Sequence, residues 1–182
     1  MSELMRRQGY AATGMQQIAT AAEAPTGSIY HHFKGGKRDI AAEALVQSGA
    51  AYLELLFMIV AQIDDPVAGV RHAFSEAAEV LAQTEWVNLC PVATVLGEVA
   101  DTEPEIREAG SAVFVSWVEA GTDYYTARGL TRAEARQFAY ALIAGLEGAF
   151  VLARTLRSKA PLLAAGETLA RALEVLLNRA SV

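Results

Sequence analysis

At 182 residues the chain has room for one hydrophobic core, or for one core with a small module attached. A single cysteine, Cys90, excludes an internal disulfide and a thiolate metal cluster, and the opening MSELMRRQGY lacks the apolar segment of a signal peptide. The net charge is −6, the apolar fraction 53% and the mean hydropathy +0.22, so the surplus apolar surface needs a subunit interface or a ligand cavity to cover it.

The longest charge-free apolar runs, LLFMIVAQI and QFAYALIAGL, are about half a membrane span in length, so a cytoplasmic protein with no membrane partner is expected. Charge is unevenly spread. Residues 1–40 carry five Lys/Arg against three acids (+2), and residues 41–182 carry ten against eighteen (−8). A basic head on an acidic body hints at a polyanionic partner at one end.

Helical periodicity runs along the whole chain, and no segment sustains strand alternation. Met15, Ile18, Ala19 and Ala22 form one buried face, with Thr13 and Gln16 as a capping box before it. Ala24 precedes Pro25, so one helix ends there and the next begins. Gly35-Gly36 closes that short piece. A long helix is expected from about Lys37 to Ile63, and Asp64-Asp65-Pro66 starts another, with Val67, Val70, Phe74, Ala77 and Leu81 as its stripe. Cys90-Pro91 opens a short helix to Ala100. Thr102-Glu103-Pro104 opens one that stops at Arg128-Gly129. Thr131 with Glu134 is a second capping box, starting a helix to about Arg157, and Leu162 to Arg179 is the last. The expected fold is all-α, with about nine helices: a three-helix helix-turn-helix module over residues 1–45, then a larger bundle over 46–182.

The segments near 15–22 and 25–32, joined by a tight Glu23-Ala24 corner, have helix-turn-helix spacing. On the second, Ile29 and Phe33 point inward, while Thr26, Tyr30, Gly27 and His31 form an outer face almost without charge. Rigid bodies with hydrogen-bonding tips suit a surface that lies on base edges and phosphates. Lys37 adds a point charge for a phosphate, and Gln16, Gln17 and Thr20 face outward on the preceding helix. Packing of Tyr30 and His32 against the long helix is the plain alternative. Adjacent His31 and His32 diverge on a helix and lack i, i+4 spacing, so no metal site and no cofactor is expected.

The stretch GYAATGMQQIATAAEAPTGSIYHHFKGGKRDI resembles the DNA-binding region of the TetR family of transcriptional regulators, over roughly residues 4–45. Gly35-Gly36-Lys37 and CPVATVLGEVADTEPEIREA look like the branch that includes LmrA- and YxaF-type regulators. The resemblance implies a homodimeric repressor on double-stranded operator DNA, with a small-molecule effector. It implies base contacts from Gln16, Thr26, Gly27, Ser28, Tyr30 and His31, and phosphate contacts from Thr13, His32 and Lys37. The family pattern extends further upstream, so a truncated or partly disordered start, or a wrong start site, is expected. Pro25 stands where family members often carry a capping serine.

In the body, the 131–157 helix is apolar nearly all round: Phe138, Leu142, Leu146 and Ala149 on one side, small residues on much of the rest. The small side, with the last helix, is expected to form a two-fold interface through Ala141, Gly145, Gly148, Leu152, Leu169, Leu173 and Leu176. The alternative is that both faces are internal core. Phe57, Phe74, Trp86, Cys90, Trp117, Tyr124 and Glu147 are candidate lining for an apolar or aromatic effector, with Asn88, His72 and Glu98 as further polar partners. Each aromatic taken singly reads as plain core. No Ser-His-Asp spacing, phosphate loop or metal cluster is present, so an enzyme is not expected. The competing reading to a ligand-responsive repressor is a small-molecule-binding helical dimer with an impaired DNA-binding module.

Overall fold

The computed structural model describes residues 1–180, and among them the chain forms nine α-helices and no strand. These are α1 (Ser2–Gln8), α2 (Met15–Ala21), α3 (Thr26–His32), α4 (Lys37–Val60), α5 (Pro66–Gln83), α6 (Pro91–Val99), α7 (Pro104–Thr126), α8 (Arg132–Leu156) and α9 (Ala160–Ala180). The all-α architecture of about nine helices expected from the sequence is present among these residues. The helices fall into two compact units, Met1–Tyr52 with Leu89–Phe114, and Leu53–Asn88 with Val115–Val182.

In the first unit, α2 and α3 are only seven residues each. Helices so short are unstable alone, because nucleation costs more than so few hydrogen bonds return. They are held by a shared core of Ile18, Ala19, Ile29 and Ile40, with Met1, Leu4, Met15, Ala24 and Phe33 packed around it. α1 packs against α6, where Met5, Val92, Val95 and Val99 are buried. Small residues allow the closest helix approaches: Gly49 of α4 lies under the Val113 side chain of α7, and Gly110 of α7 under Leu96 of α6.

The α2 cap differs from the expected box by one residue. Gly14 is the N-cap, and its N–H donates to Gln17 Oε1 at 2.9 Å. Glycine has no side chain to return the bond, so only this half of the box forms. Thr13 is instead turned inward.

In the second unit, α9 packs against both α5 and α8. Phe74 of α5 sits on Gly166 of α9; a Cβ there would lie 2.6 Å from Phe74 Cβ, so α5 and α9 touch because position 166 has none. The α5 start matches expectation: Asp65 accepts from the N–H groups of Val67 (3.0 Å) and Ala68 (3.3 Å), with Pro66 first in the helix. Thr131 and Glu134 form the reciprocal box that opens α8. By length and composition alone α4 and α8 are apolar enough to cross a membrane. α8 nevertheless carries ion pairs at its start, from Arg132 to Glu119 and Asp123 (2.8 Å each) and from Arg136 to Glu119.

Between α5 and α9, Glu167 accepts from Arg71 Nε and from Arg171 Nε, each at 2.7 Å. Those guanidiniums hold its carboxyl down at about 2. A glutamate in the unfolded chain titrates near ~4.3. The carboxylate therefore stabilises the fold fully above that value, and the contribution disappears as pH falls toward 2. Glu167→Gln is expected to flatten the acid limb of the stability curve between roughly pH 4 and pH 2, with little change in helicity; urea unfolding monitored by circular dichroism across that range checks it.

Candidate nucleic-acid interface

The corner between α2 and α3 is made by Glu23, a non-glycine residue at φ 50, and by Pro25 at φ −59, the N-cap of α3. Ala24 N–H donates to Ala19 O at 3.1 Å, closing the end of α2, and Pro25 O accepts from Ser28 N–H (2.9 Å) and Ile29 N–H (3.2 Å). Ile29 is thereby turned into the core. Thr26, Gly27, Ser28, Tyr30, His31 and His32 are all exposed, as is Gln16 on α2.

Tyr30 is 47% exposed, which is unusual for a large aromatic ring. Its inner edge rests on the α3–α4 turn, where a Cβ on Gly36 would meet Tyr30 Cε1 at 3.0 Å; Gly36 is also at φ +64. The glycine thus sets the tilt of the ring. His31 and His32 meet edge to face with centroids 5.4 Å apart. A Cβ on Gly27 would meet nothing within 4 Å, so the chain itself does not require glycine there.

Thr13 departs from the expected set. It is 0% exposed, its hydroxyl donates to Gly9 O at 2.7 Å and accepts from Gln8 Nε2 at 3.3 Å, and its N–H donates to Tyr10 O at 3.1 Å. With every polar group turned inward it shapes the α1–α2 turn and presents nothing to a phosphate. Lys37 is half-buried. Its ammonium lies 4.2 Å from the centroid of the Tyr10 ring and donates to Tyr10 O (3.0 Å) and Ala11 O (3.4 Å).

Glu98 of α6, placed by the sequence among polar partners for an effector, instead reaches the same turn. Its oxygens accept from Tyr10 N–H and Ala11 N–H, each at 2.7 Å. Burial, with Glu103 beside the hydroxyl, pushes the Tyr10 phenol above its ordinary value. The only hint in the sequence was Glu98 at the exposed flank of the apolar stripe of its own helix; its partner is 88 residues away.

Of the residues proposed to line an effector site, Phe57, Phe74, Trp86, Trp117, Tyr124 and Glu147 belong to the second unit and Cys90 to the first. Phe57 and Tyr124 come together at 6.0 Å, continuing through Tyr125 (5.0 Å) to Phe138 (4.8 Å). The Arg128 guanidinium covers Tyr124 at 3.5 Å. Burial pushes the Tyr125 phenol far above its ordinary value. Phe74 sits on Gly166.

The interface set also divides. Ala141, Gly148 and Leu152 are exposed on α8. Leu173 is 0% exposed and belongs to the core of its own protomer, and Gly145 is covered by Leu169, whose Cδ1 would lie 2.9 Å from an added Cβ. Leu173 and Gly145 therefore face within the protomer, where α9 packs on α8. On these two helices the large apolar residues left exposed are Tyr140, Val151, Leu152 and Leu156 of α8, with Leu163 and Val175 of α9; others stand exposed on α4 (Val46, Leu55, Met58), α5 (Val80) and α7 (Val115).

Glu23 holds the helix-turn-helix corner at a φ that disfavours any residue with a Cβ. Glu23→Gly is expected to raise stability by about 1 kcal/mol, the relief of left-handed strain less the added flexibility of glycine in the unfolded chain; equilibrium urea unfolding measures it.

Residues 2–44 match the description "Bacterial regulatory proteins, tetR family", and residues 66–168 match "Transcriptional regulator LmrA/YxaF-like, C-terminal domain". The chain is 31% identical over 166 residues to the Bacillus subtilis HTH-type transcriptional regulator YxaF, covering 91% of this chain and 87% of that one. It is 27% identical to the HTH-type transcriptional regulator LmrA of the same organism, over 89% and 86%. A TetR regulatory protein of Rhodobacter sphaeroides superposes with a TM-score of 0.78 at 26% identity, over 93% and 92% of the chains. A TetR transcriptional regulator of Chloroflexus aurantiacus gives 0.71 at 30%, over 93% and 88%. An exposed, nearly uncharged recognition face on a two-helix corner, and matches to both halves of one regulator architecture, lead to one conclusion: the chain belongs to the TetR family of transcriptional regulators, in its LmrA/YxaF-like branch.

Proposed function

We propose that the protein is a cytoplasmic, homodimeric repressor whose hold on operator DNA is released by a small apolar or aromatic effector. The observation that carries this reading is the outer face of α3, where Thr26, Gly27, Ser28, Tyr30 and His31 stand exposed over a core that fixes the helix from behind. Threonine, serine, tyrosine and histidine tips read base edges and phosphates. Position 27 has open space before it, so a close external surface accounts for its glycine. Gln16 and His32 flank this face, and Lys37 keeps donor capacity beside it.

A repressor of this kind needs two copies of α3 at roughly the 34 Å interval of successive major grooves. The exposed Val151, Leu152 and Leu156 of α8, with Leu163 and Val175 of α9, form an apolar surface that a second copy would cover. The ring series Phe57–Tyr124–Tyr125–Phe138 supports an aromatic effector in the second unit. The effector acts only through unequal affinity for the DNA-bound and released states, a coupling of about 1–3 kcal/mol.

Two experiments test the reading. Tyr30→Ala is expected to lose at least about tenfold in affinity for a duplex enriched by the wild-type protein from a random library, with an unchanged dimer mass and melting curve; wild-type affinity by fluorescence anisotropy would count against α3 as the reading helix. Val151→Asp with Leu152→Asp is expected to yield a folded monomer by light scattering, since an apolar interface does not tolerate two unpaired charges.

A further inference from the structure

The turn between α1 and α2 is held from two sides. From α6, the Glu98 carboxylate takes the consecutive N–H groups of Tyr10 and Ala11, both at 2.7 Å. From the start of α4, Lys37 takes the carbonyls of the same residues and caps the Tyr10 ring. Four backbone groups of two residues are thus claimed by one anion and one cation, each matched to the sign of the dipole it meets. Gly9 lets the carboxylate come this near: a Cβ there would stand 2.6 Å from Glu98 Oε2, and φ at Gly9 is +81.

Continuity makes the turn matter. Tyr10 and Ala11 lead through buried Thr13 and the Gly14 cap straight into α2, whose Ile18 and Ala19 share a core with Ile29 of α3. Displacing the turn displaces the start of α2, and the packed core passes that to α3. Glu98 lies in the segment matched by the C-terminal description (66–168), whereas Tyr10 and Ala11 lie in that matched by the DNA-binding description (2–44). The bond is therefore a polar link from the segment matched by the C-terminal description to the turn that leads into α2.

We propose that Glu98 is a positioning residue for operator recognition: its carboxylate, seated on the Tyr10 and Ala11 amides, sets the tilt of α2 and α3 and is the point through which α6 acts on them. This rests on the DNA-binding reading given above. Glu98 is on the exposed side of α6 and its loss leaves no buried charge unpaired, so a variant is expected to fold. A glutamine there can accept from one amide but turns its own NH2 toward the other.

Glu98→Gln is expected to bind the enriched duplex about tenfold more weakly, the loss of one charge-assisted hydrogen bond. In 15N-resolved spectra its Tyr10 and Ala11 amides should move upfield and exchange faster, while those of Ile18 and Ile29 stay protected. A merely structural loss would move all four together. Wild-type affinity in Glu98→Gln, or unprotected Tyr10 and Ala11 amides in the wild-type protein, overturns the proposal. If Glu98→Gln does not fold, Glu98→Asp, which keeps the charge and shortens the reach, is used instead: weakened binding supports the role and wild-type affinity overturns it. Failure of the wild-type protein to enrich any duplex defeats the DNA-binding reading itself and the positioning role with it, an outcome distinct from unchanged affinity in the variant.

Discussion

Everything proposed for the DNA-binding module depends on one small apolar contact, the meeting of Ile18 and Ala19 with Ile29 and Ile40. Neither α2 nor α3 has the length to persist as a helix in water. Burying these side chains against α4 supplies what local propensity lacks, and it fixes rotation as well as existence. With Ile29 inward, Gly27 and Tyr30 turn outward, and Thr26, in the first turn, is exposed as well.

Polar contacts then refine what the core permits. Gly36 sets the tilt of Tyr30, Glu23 bends the corner at the expense of backbone strain, and Glu98 and Lys37 grip the turn before α2 from opposite poles. None of these contacts is buried deeply enough to dominate stability. Their common effect is orientation, which is what a helix that reads a groove requires. The module is thus stabilised by apolar burial and aimed by backbone geometry and by half-buried and exposed hydrogen bonds.

The body works on a different principle. α9 is the element that both α5 and α8 pack against, through Gly166 under Phe74 and Leu169 over Gly145. Gly145 and Gly166 serve these intramolecular contacts, while Val151, Leu152, Leu156, Leu163 and Val175 remain outside. Part of the apolar surplus visible in composition thus lies exposed on α8 and α9, and the proposed dimer would cover it.

Chain punctuation was legible in the sequence because it rests on local chemistry. Asp65-Pro66, Thr131 with Glu134, and the Ala24-Pro25 junction cap or break helices through bonds to residues two to four positions away. The exposed face of α3 was legible too, since one inward isoleucine on a short helix orients its neighbours. The α2 cap was misplaced by one residue, because threonine and glutamine both cap and only the path of the turn decides which N–H each reaches. Leu173 and Val175 were not separable, since a helix apolar on several sides has no face that periodicity alone can single out. Glu98 was beyond reach altogether: its partners are two backbone amides, which carry no side-chain signature, 87 and 88 residues away. The amino-acid sequence by itself determined which segments are helices and which family they build; tertiary structure alone decided which apolar face is core, which is surface, and which carboxylate holds the turn before α2, because those choices depend on neighbours distant in the chain.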